Sequence, residues 1–218
     1  MTRSIFDPAF DDLPKALPVF PLEGALLLPG GRLPLRIFEE RYLNMVQDVL
    51  AGDRLIGMAQ PCEETEEQGS ARIYRTGCAG RITAFNETDE GHFLITLSGL
   101  IRFTVERELP VLRGYRRVVP DFGRFRGDLD EDGSWIDRAG LLDALNGYFE
   151  SNGIEGDWDA IEEAADEQLV TSLAMICPFE PPEKHALPEP VTLPERAATM
   201  TTILQMSAHD RDGAAPRH

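Results

Sequence analysis

Lysine is nearly absent from this 218-residue chain, with only Lys15 and Lys184 among its 21 basic residues. Neither sits in G-x-x-x-x-G-K-[ST], and Gly30-Gly31 has no lysine near it, so a phosphate-cradling loop of that type is excluded. Ser70, Ser98, Ser134 and Ser172 are outside any G-x-S-x-G, and the shortage of lysine leaves no plausible serine–lysine pair for nucleophilic catalysis. Cysteine is scarce too. Cys62, Cys78 and Cys177 are odd in number and widely spaced, which argues against a disulfide framework or a zinc site and for free, buried thiols. The four histidines, His92, His185, His209 and His218, are dispersed, so none forms a local metal pair, and no cofactor is expected. Long apolar runs are also missing. Runs such as Ala25–Leu28 are only about four residues long, against the ~20 needed to span a bilayer. The opening MTRSIFDPAFDD carries acids where a secretion signal would be apolar. The expectation is a soluble, cytoplasmic protein.

Acid is abundant. The net charge is −17, and residues 121–167 hold 15 acids against 3 bases. Such a surface repels phosphate backbones, so nucleic acid is not an expected partner. Carboxylate pairs such as Glu39-Glu40, Glu63-Glu64, Glu66-Glu67 and Glu162-Glu163 look like ordinary solvated acids, because a catalytic acid needs burial or a like-charge neighbour to move its pKa.

The chain is organised around Leu17–Leu50, LPVFPLEGALLLPGGRLPLRIFEERYLNMVQDVL. Pro18, Pro21, Pro29 and Pro34 cut its apolar runs into lengths too short for helices, so short strands are expected. After Arg36, the recurrence of Phe38, Tyr42, Met45, Val46, Val49 and Leu50 at steps of three and four predicts an amphipathic helix. Further strands are expected at RLIGMA, GCAGRITAF, HFLITLSG, LIRFTVERE and YRRVV. Between them, CEETEEQGS reads as a mobile acidic loop and Glu87–Gly91 as a hairpin turn. In LIRFTVE one face is apolar and the other wet.

Composition changes after Asp121. FGRFRGDLDEDGS reads as a linker, followed by a helix capped by Ser134 or Asp137 and stopped at Asn152-Gly153. A second helix is expected from about Asp159 to Ile176, a turn at Glu183–Ala186, and a third helix from Leu193 to about Met206. The expected organisation is a flexible arm at 1–16, a β-barrel at 17–121, a helical subdomain at 122–206 and a disordered tail at 207–218. The fold class is α+β: a small barrel of about six strands with one inserted helix, then about three helices.

One constellation stands out, Ile37-Phe38-Glu39-Glu40-Arg41-Tyr42 with Leu100-Ile101-Arg102-Phe103. On a structural reading, Phe38, Tyr42 and Phe103 fill the barrel end and Glu39 or Glu40 pairs with Arg41 or Arg102. On a functional reading, Arg41, Tyr42 and Arg102 line a surface that holds a peptide by stacking and bidentate contacts. LPVFPLEGALLLPGGRLPLRIFEERYLNMV, with the later GCAGRI and LSGLIRF, resembles the N-terminal, substrate-binding domain of the bacterial ATP-dependent Lon proteases. The resemblance is specific over residues 17–106 and extends to about Met206. It implies a PUA-like barrel followed by helices. It carries over Phe20, Pro21, Leu22, Pro29, Phe38 and Phe103 as structural motif positions, and Glu39, Arg41, Tyr42 and Arg102 as binding positions.

The chain ends at His218 without an ATPase or peptidase module, so the resemblance implies a non-catalytic, stand-alone recognition domain. Its expected partners are unfolded or damaged polypeptide segments, taken in an apolar groove between barrel and helices, and a protease or chaperone component; no membrane is expected. The alternatives are a hydrolase with a dispersed active site and an RNA-binding PUA-like protein. Oligomeric state is left open.

Overall fold

In the computed structural model, which describes residues 4–65, 71–130 and 134–212, short strands form as expected, but only Pro21 ends one, whereas Pro18 and Pro34 lie inside strands. Leu17–Pro21 is β1, Arg32–Ile37 is β2, and helix α1 follows at Glu40–Leu50. Then come β3 (Leu55–Ala59), β4 (Pro61–Thr65), β5 (Ala71–Ile73), β6 (Thr76–Glu87), β7 (Phe93–Leu112) and β8 (Tyr115–Asp121). The chain divides into two compact units, Met1–Glu131 and Asp132–His218.

Strand β7 explains the first unit. Along one edge it pairs with β6 from Phe93 to Thr104. Along the other it pairs first with β2, over Phe93–Ser98, and then with β8, from Thr104 to Leu112. Since β8 joins β1, β1 joins β3 and β3 joins β6, the β7, β6, β3, β1 and β8 strands close on themselves. Closure removes most free edges. The sixth strand of the sheet, β2, is appended outside this ring. Beyond the ring, β2 and the paired ends of β7 and β6 make a three-stranded wing.

HFLITLSG and LIRFTVERE, expected as two strands, are one. Gly99 lies at their junction without breaking the ladder, and it is there for close approach: a Cβ on Gly99 would lie 1.9 Å from the Leu28 carbonyl oxygen. The Gly30 N–H donates to Gly99 O at 3.0 Å and the Gly99 N–H to Gly31 O at 2.9 Å. Ala25–Leu28 is accordingly not a strand. It is irregular chain pressed into the barrel, with Leu26, Leu27, Leu28 and Pro29 buried.

Helix α1 buries Tyr42, Met45, Val46 and Val49, as its periodicity predicts. It is pinned by the turn between β7 and β8. Arg113 (φ 46°) and Gly114 (φ 89°) both have positive φ, which fits a two-residue hairpin loop. The Arg113 guanidinium donates to Asn44 Oδ1 at 2.6 Å and also pairs with Asp48. Tyr115 donates its phenol to the same Asp48 carboxylate at 2.9 Å.

The stretch after Asp121 differs from the expected linker. Gly123–Leu129 is a short 3-10 segment, and Phe122 and Phe125 sit in the same buried cluster as Leu17, Val19, Ile101 and Phe103. The first unit therefore runs past Asp121, because these aromatic rings belong to its core. At the other end, residues 4–16 are not a loose arm. Phe10 and Leu13 pack on that cluster, Asp7 pairs with Arg81 at 2.8 Å, and Arg126 stacks over the Phe10 ring at 4.5 Å. Of the expected acidic loop, residues 62–65 belong to β4, which pairs with β5, and 66–70 lie outside the described residues.

The second unit comprises α2 (Arg138–Asn152), α3 (Trp158–Glu163), α4 (Asp166–Ile176), α5 (Pro181–Ala186) and α6 (Leu193–Asp212). Asp137 caps α2 by accepting from the Gly140 N–H, and Gly153, at φ 63°, ends it. The single helix expected from Asp159 to Ile176 is two, because Ala164 and Ala165 are extended. Arg138 holds the break: Nη2 donates to the carbonyls of Ile161 and Glu162, and Nη1 pairs with Asp166. Helix α6 continues past Met206 to Asp212; the rest of the expected tail, 213–218, lies outside the described residues. Among the described residues, no helix is long and apolar enough to cross a membrane.

Candidate functional site

The expected binding residues separate into two places. Glu39, Arg41 and Tyr42 stand together where β2 passes into α1. Glu39, in the N-cap position, accepts from Arg41 Nε at 2.9 Å and Nη2 at 2.7 Å. The Arg41 guanidinium lies over the Tyr42 ring at 4.5 Å, and Tyr42 in turn packs on Phe20 with ring centroids 4.1 Å apart. Burial raises the Tyr42 phenol pKa, Arg41 opposes that, and Glu39 reinforces it. The exposed Glu39–Arg41 pair is thus a charged cap on the buried Tyr42–Phe20 aromatic pair.

Arg102 is elsewhere. It is fully enclosed, donating from Nε and Nη2 to the two carboxylate oxygens of Asp128 at 2.9 and 2.6 Å, with its guanidinium 4.4 Å from the Phe125 ring centroid. An enclosed, bidentate-paired arginine stacked on a buried ring is part of the core, so Arg102 does not line a surface with Arg41. The wet face expected for LIRFTVE is covered at this point, since Ile101, Arg102 and Phe103 are all buried.

The motif positions also divide. Phe20, Pro29 and Phe103 are buried, and Phe103 meets Phe122 edge-on at 6.2 Å. Pro21 ends β1 opposite Ala59, and the Leu22 N–H donates to Ala59 O at 3.3 Å. Phe38 is the exception. It does not fill the barrel end but is 61% exposed, because α1 starts only at Glu40 and Phe38 precedes it. Its ring meets the His92 imidazole 6.0 Å away.

That places Phe38 at the end of the wing, among residues the sequence reading did not gather. Arg36 pairs with Glu90 at 2.6 Å and donates to His92 Nδ1 at 3.0 Å. The ladder registers put Pro34 and Ala84 beside Thr96, and Arg36 and Asn86 beside Leu94, so these six side chains share one face. They line a shallow trough across the three strands. Its floor is apolar at Leu94, which is 43% exposed. One signal was available in the sequence: Phe93-Leu94-Ile95 is apolar at consecutive positions, so both faces of that strand are apolar and only one can point into the barrel.

The chain matches the ATP-dependent protease La (LON) substrate-binding domain over residues 16–206. It is 31% identical over 115 residues to Lon protease 2 of Myxococcus xanthus, and 30% identical over 115 residues to the Lon protease of Anaeromyxobacter dehalogenans. Each alignment covers 51% of this chain and 14% of the relative, so the chain spans a small part of those proteases. In fold it is similar to a Lon N-terminal domain protein from Xanthomonas campestris, with TM-score 0.63, 23% identity, and 86% of this chain and 97% of that one covered. It is likewise similar to the N-terminal domain of Mycobacterium avium complex Lon protease, with TM-score 0.62, 14% identity, and 87% and 98% covered. With a closed barrel, an appended β2 and a following set of helices, and with the family pattern running through both units, the chain belongs to the Lon substrate-binding domain family.

Proposed function

We propose that this chain is a non-catalytic module that binds unfolded or damaged polypeptide segments on the outer face of the wing. The observation that carries the reading is the trough itself: Leu94, Pro34 and Ala84 hold apolar surface open to solvent on a hydrogen-bonded sheet, and Phe38 extends it at one end. An apolar surface held on rigid strands binds at lower conformational cost than one on a loop. Arg36 lines the trough and the exposed Glu39–Arg41 pair follows Phe38 in the chain, and such peripheral charges steer encounter and choose among clients more than they add affinity. Membership of a substrate-binding domain family supports a polypeptide client. The net charge of −17 supports protein over nucleic acid as the client, and the proposed setting is the cytoplasm. A protease or chaperone component is the fitting recipient of what is held.

Titration of fluorescently labelled, permanently unfolded polypeptide into the full chain tests this. Saturable binding is expected, weakened at least ~fivefold by Leu94→Asp or Phe38→Ala, both of which should leave the melting transition in place. Arg41→Ala should alter the salt dependence more than the affinity. Absence of binding by a broad panel of unfolded chains, down to roughly millimolar strength (about −4 kcal/mol), would refute the reading.

A further inference from the structure

The closed barrel leaves one stretch of strand open at its edge. Beyond Arg81 no described strand pairs with β6 on the side facing away from β7; the last contact there is the Ile82 N–H donating to Arg54 O at 2.9 Å. From Thr83 to Glu87 (TAFNE) every residue is exposed and none is proline. The other wing edge is different, since β2 carries Pro34 with Arg32 and Arg36, the residue types that blunt edge pairing. The open stretch carries opposite charge at its two ends: Arg54 stands at the barrel end, and Glu87 and Asp89 at the wing tip.

We infer that the β6 edge is the docking surface for a second copy of this chain, joined antiparallel about a twofold axis at Phe85. In that register Phe85 faces Phe85, Ala84 faces Asn86, and Thr83 faces Glu87. Continuing outward, Arg54 of each copy comes beside Thr88 and Asp89 of the other, so opposite charges meet twice. A polar edge with one sign at each end is complementary to itself only in the antiparallel sense, which also yields a closed pair and not a fibre. Phe85 is 39% exposed and lies 5.0 Å from the Phe93 ring, so the contact adds to an aromatic cluster that already exists. The pairing joins two three-stranded wings into one continuous sheet and sets the two troughs side by side. Five residues bury far less than the ~1,200–2,000 Å² of a stable interface, and the acidic chains repel, so the pair is weak.

Sedimentation of the full chain should show its mean mass rising toward twice the monomer value between ~10 µM and ~1 mM. Directly opposed antiparallel residues have Cα atoms about 4.5–5.5 Å apart, within disulfide reach, so Phe85→Cys in a Cys62→Ser background should cross-link under mild oxidation. Thr83→Cys, displaced from its own twin, should not, whereas Thr83→Cys with Glu87→Cys should. Glu87→Pro should lower association at least ~tenfold by removing an edge donor, because the Thr88 N–H donates to His92 O and the alternating N–H of Glu87 therefore faces away from β7. If that variant is misfolded, Phe85→Glu, which sets two carboxylates face to face on an exposed site, should do the same with the melting transition retained. A mass that stays monomeric to ~1 mM, or a pair that tolerates both substitutions and cross-links without regard to register, would overturn the inference. An edge occupied by unfolded polypeptide on a monomer would also overturn it. Peptide binding by Glu87→Pro, a position outside the trough lining, separates this from the substrate-binding reading, which does not depend on pairing.

Discussion

The Arg102 guanidinium is held by the Asp128 carboxylate in a bidentate pair from which solvent is excluded, and the Arg102 backbone N–H donates to the same carboxylate at 2.9 Å. Asp128 belongs to Gly123–Leu129, so one carboxylate fastens that segment to the middle of β7. Charges so enclosed are costly to leave alone. Asp128→Ala should cost ~3–5 kcal/mol, because it strands a buried guanidinium, and Arg102→Ala should cost a similar amount. The double replacement Arg102→Met with Asp128→Leu should be milder than either single change, since no unpaired charge remains. Urea denaturation of the four proteins measures this; a double variant as unstable as the summed singles would show that the pair does not act as a unit.

Two phenylalanines of the family pattern should respond oppositely. Phe103 is fully buried, and a Cβ on Gly77 would lie 2.7 Å from its ring, so the ring is packed against backbone. Phe103→Ala should cost ~3–5 kcal/mol. Phe38, largely in solvent, should change stability by no more than ~0.5 kcal/mol on truncation, while client binding falls. Thermal melts read beside peptide titrations check both, and a large destabilisation by Phe38→Ala would mean that its ring is covered.

These two residues also show what the sequence could and could not disclose. Phe38 fits the three-and-four spacing of the α1 stripe, but the helix begins two positions later, and a periodicity alone does not mark its own first turn. Arg102 alternates with Ile101 and Phe103 as a solvent-facing residue would. What covers it lies 26 positions away, in a stretch whose glycines and acids read as a linker. Local pattern reports which side of a strand a residue takes, and a later segment decides whether that side is wet. By contrast β1, α1, the turn after Glu87 and the Gly153 stop were legible because each rests on proline, glycine or spacing within a few residues. The stack of Glu39, Arg41 and Tyr42 was legible for the same reason, and the trough across three strands was not.

Stability should fall in alkali through Tyr115. Burial, with the hydrogen bond to Asp48 second, raises its phenol pKa to about 12, against about 10 in an unfolded chain. The folded state thus keeps a proton that the unfolded state loses, and stability is full below about pH 10 and declines as pH rises from there toward 12. Tyr115→Phe should cost ~1–1.5 kcal/mol near pH 8 by removing the bond to Asp48. The gap between wild type and variant should narrow at pH 11. Urea midpoints of both proteins at pH 8 and 11 test the sign, and a gap that widens with pH would reverse it.

Gly99 should be the least replaceable residue of the wing. The Cβ of an alanine there would lie 1.9 Å from the Leu28 carbonyl oxygen, which accepts from the Gly31 N–H at 2.9 Å in a turn that Gly30 and Gly31 bond to Gly99. Relief requires Leu28 to withdraw, which lifts Leu27 and Leu28 from their buried positions and loosens the junction between barrel and wing. Gly99→Ala should therefore cost on the order of 3 kcal/mol, at the upper end for overpacking. It should also raise amide exchange in β2, which shares the β7 edge with this segment and, among the described strands, has no second neighbour to hold it. Gly91→Ala supplies the comparison, since its Cβ would meet nothing within 4 Å and only its positive φ is strained. It should cost less and leave β2 protected. Equal losses in the two variants would locate the strain in glycine dihedrals and not in the contact with Leu28.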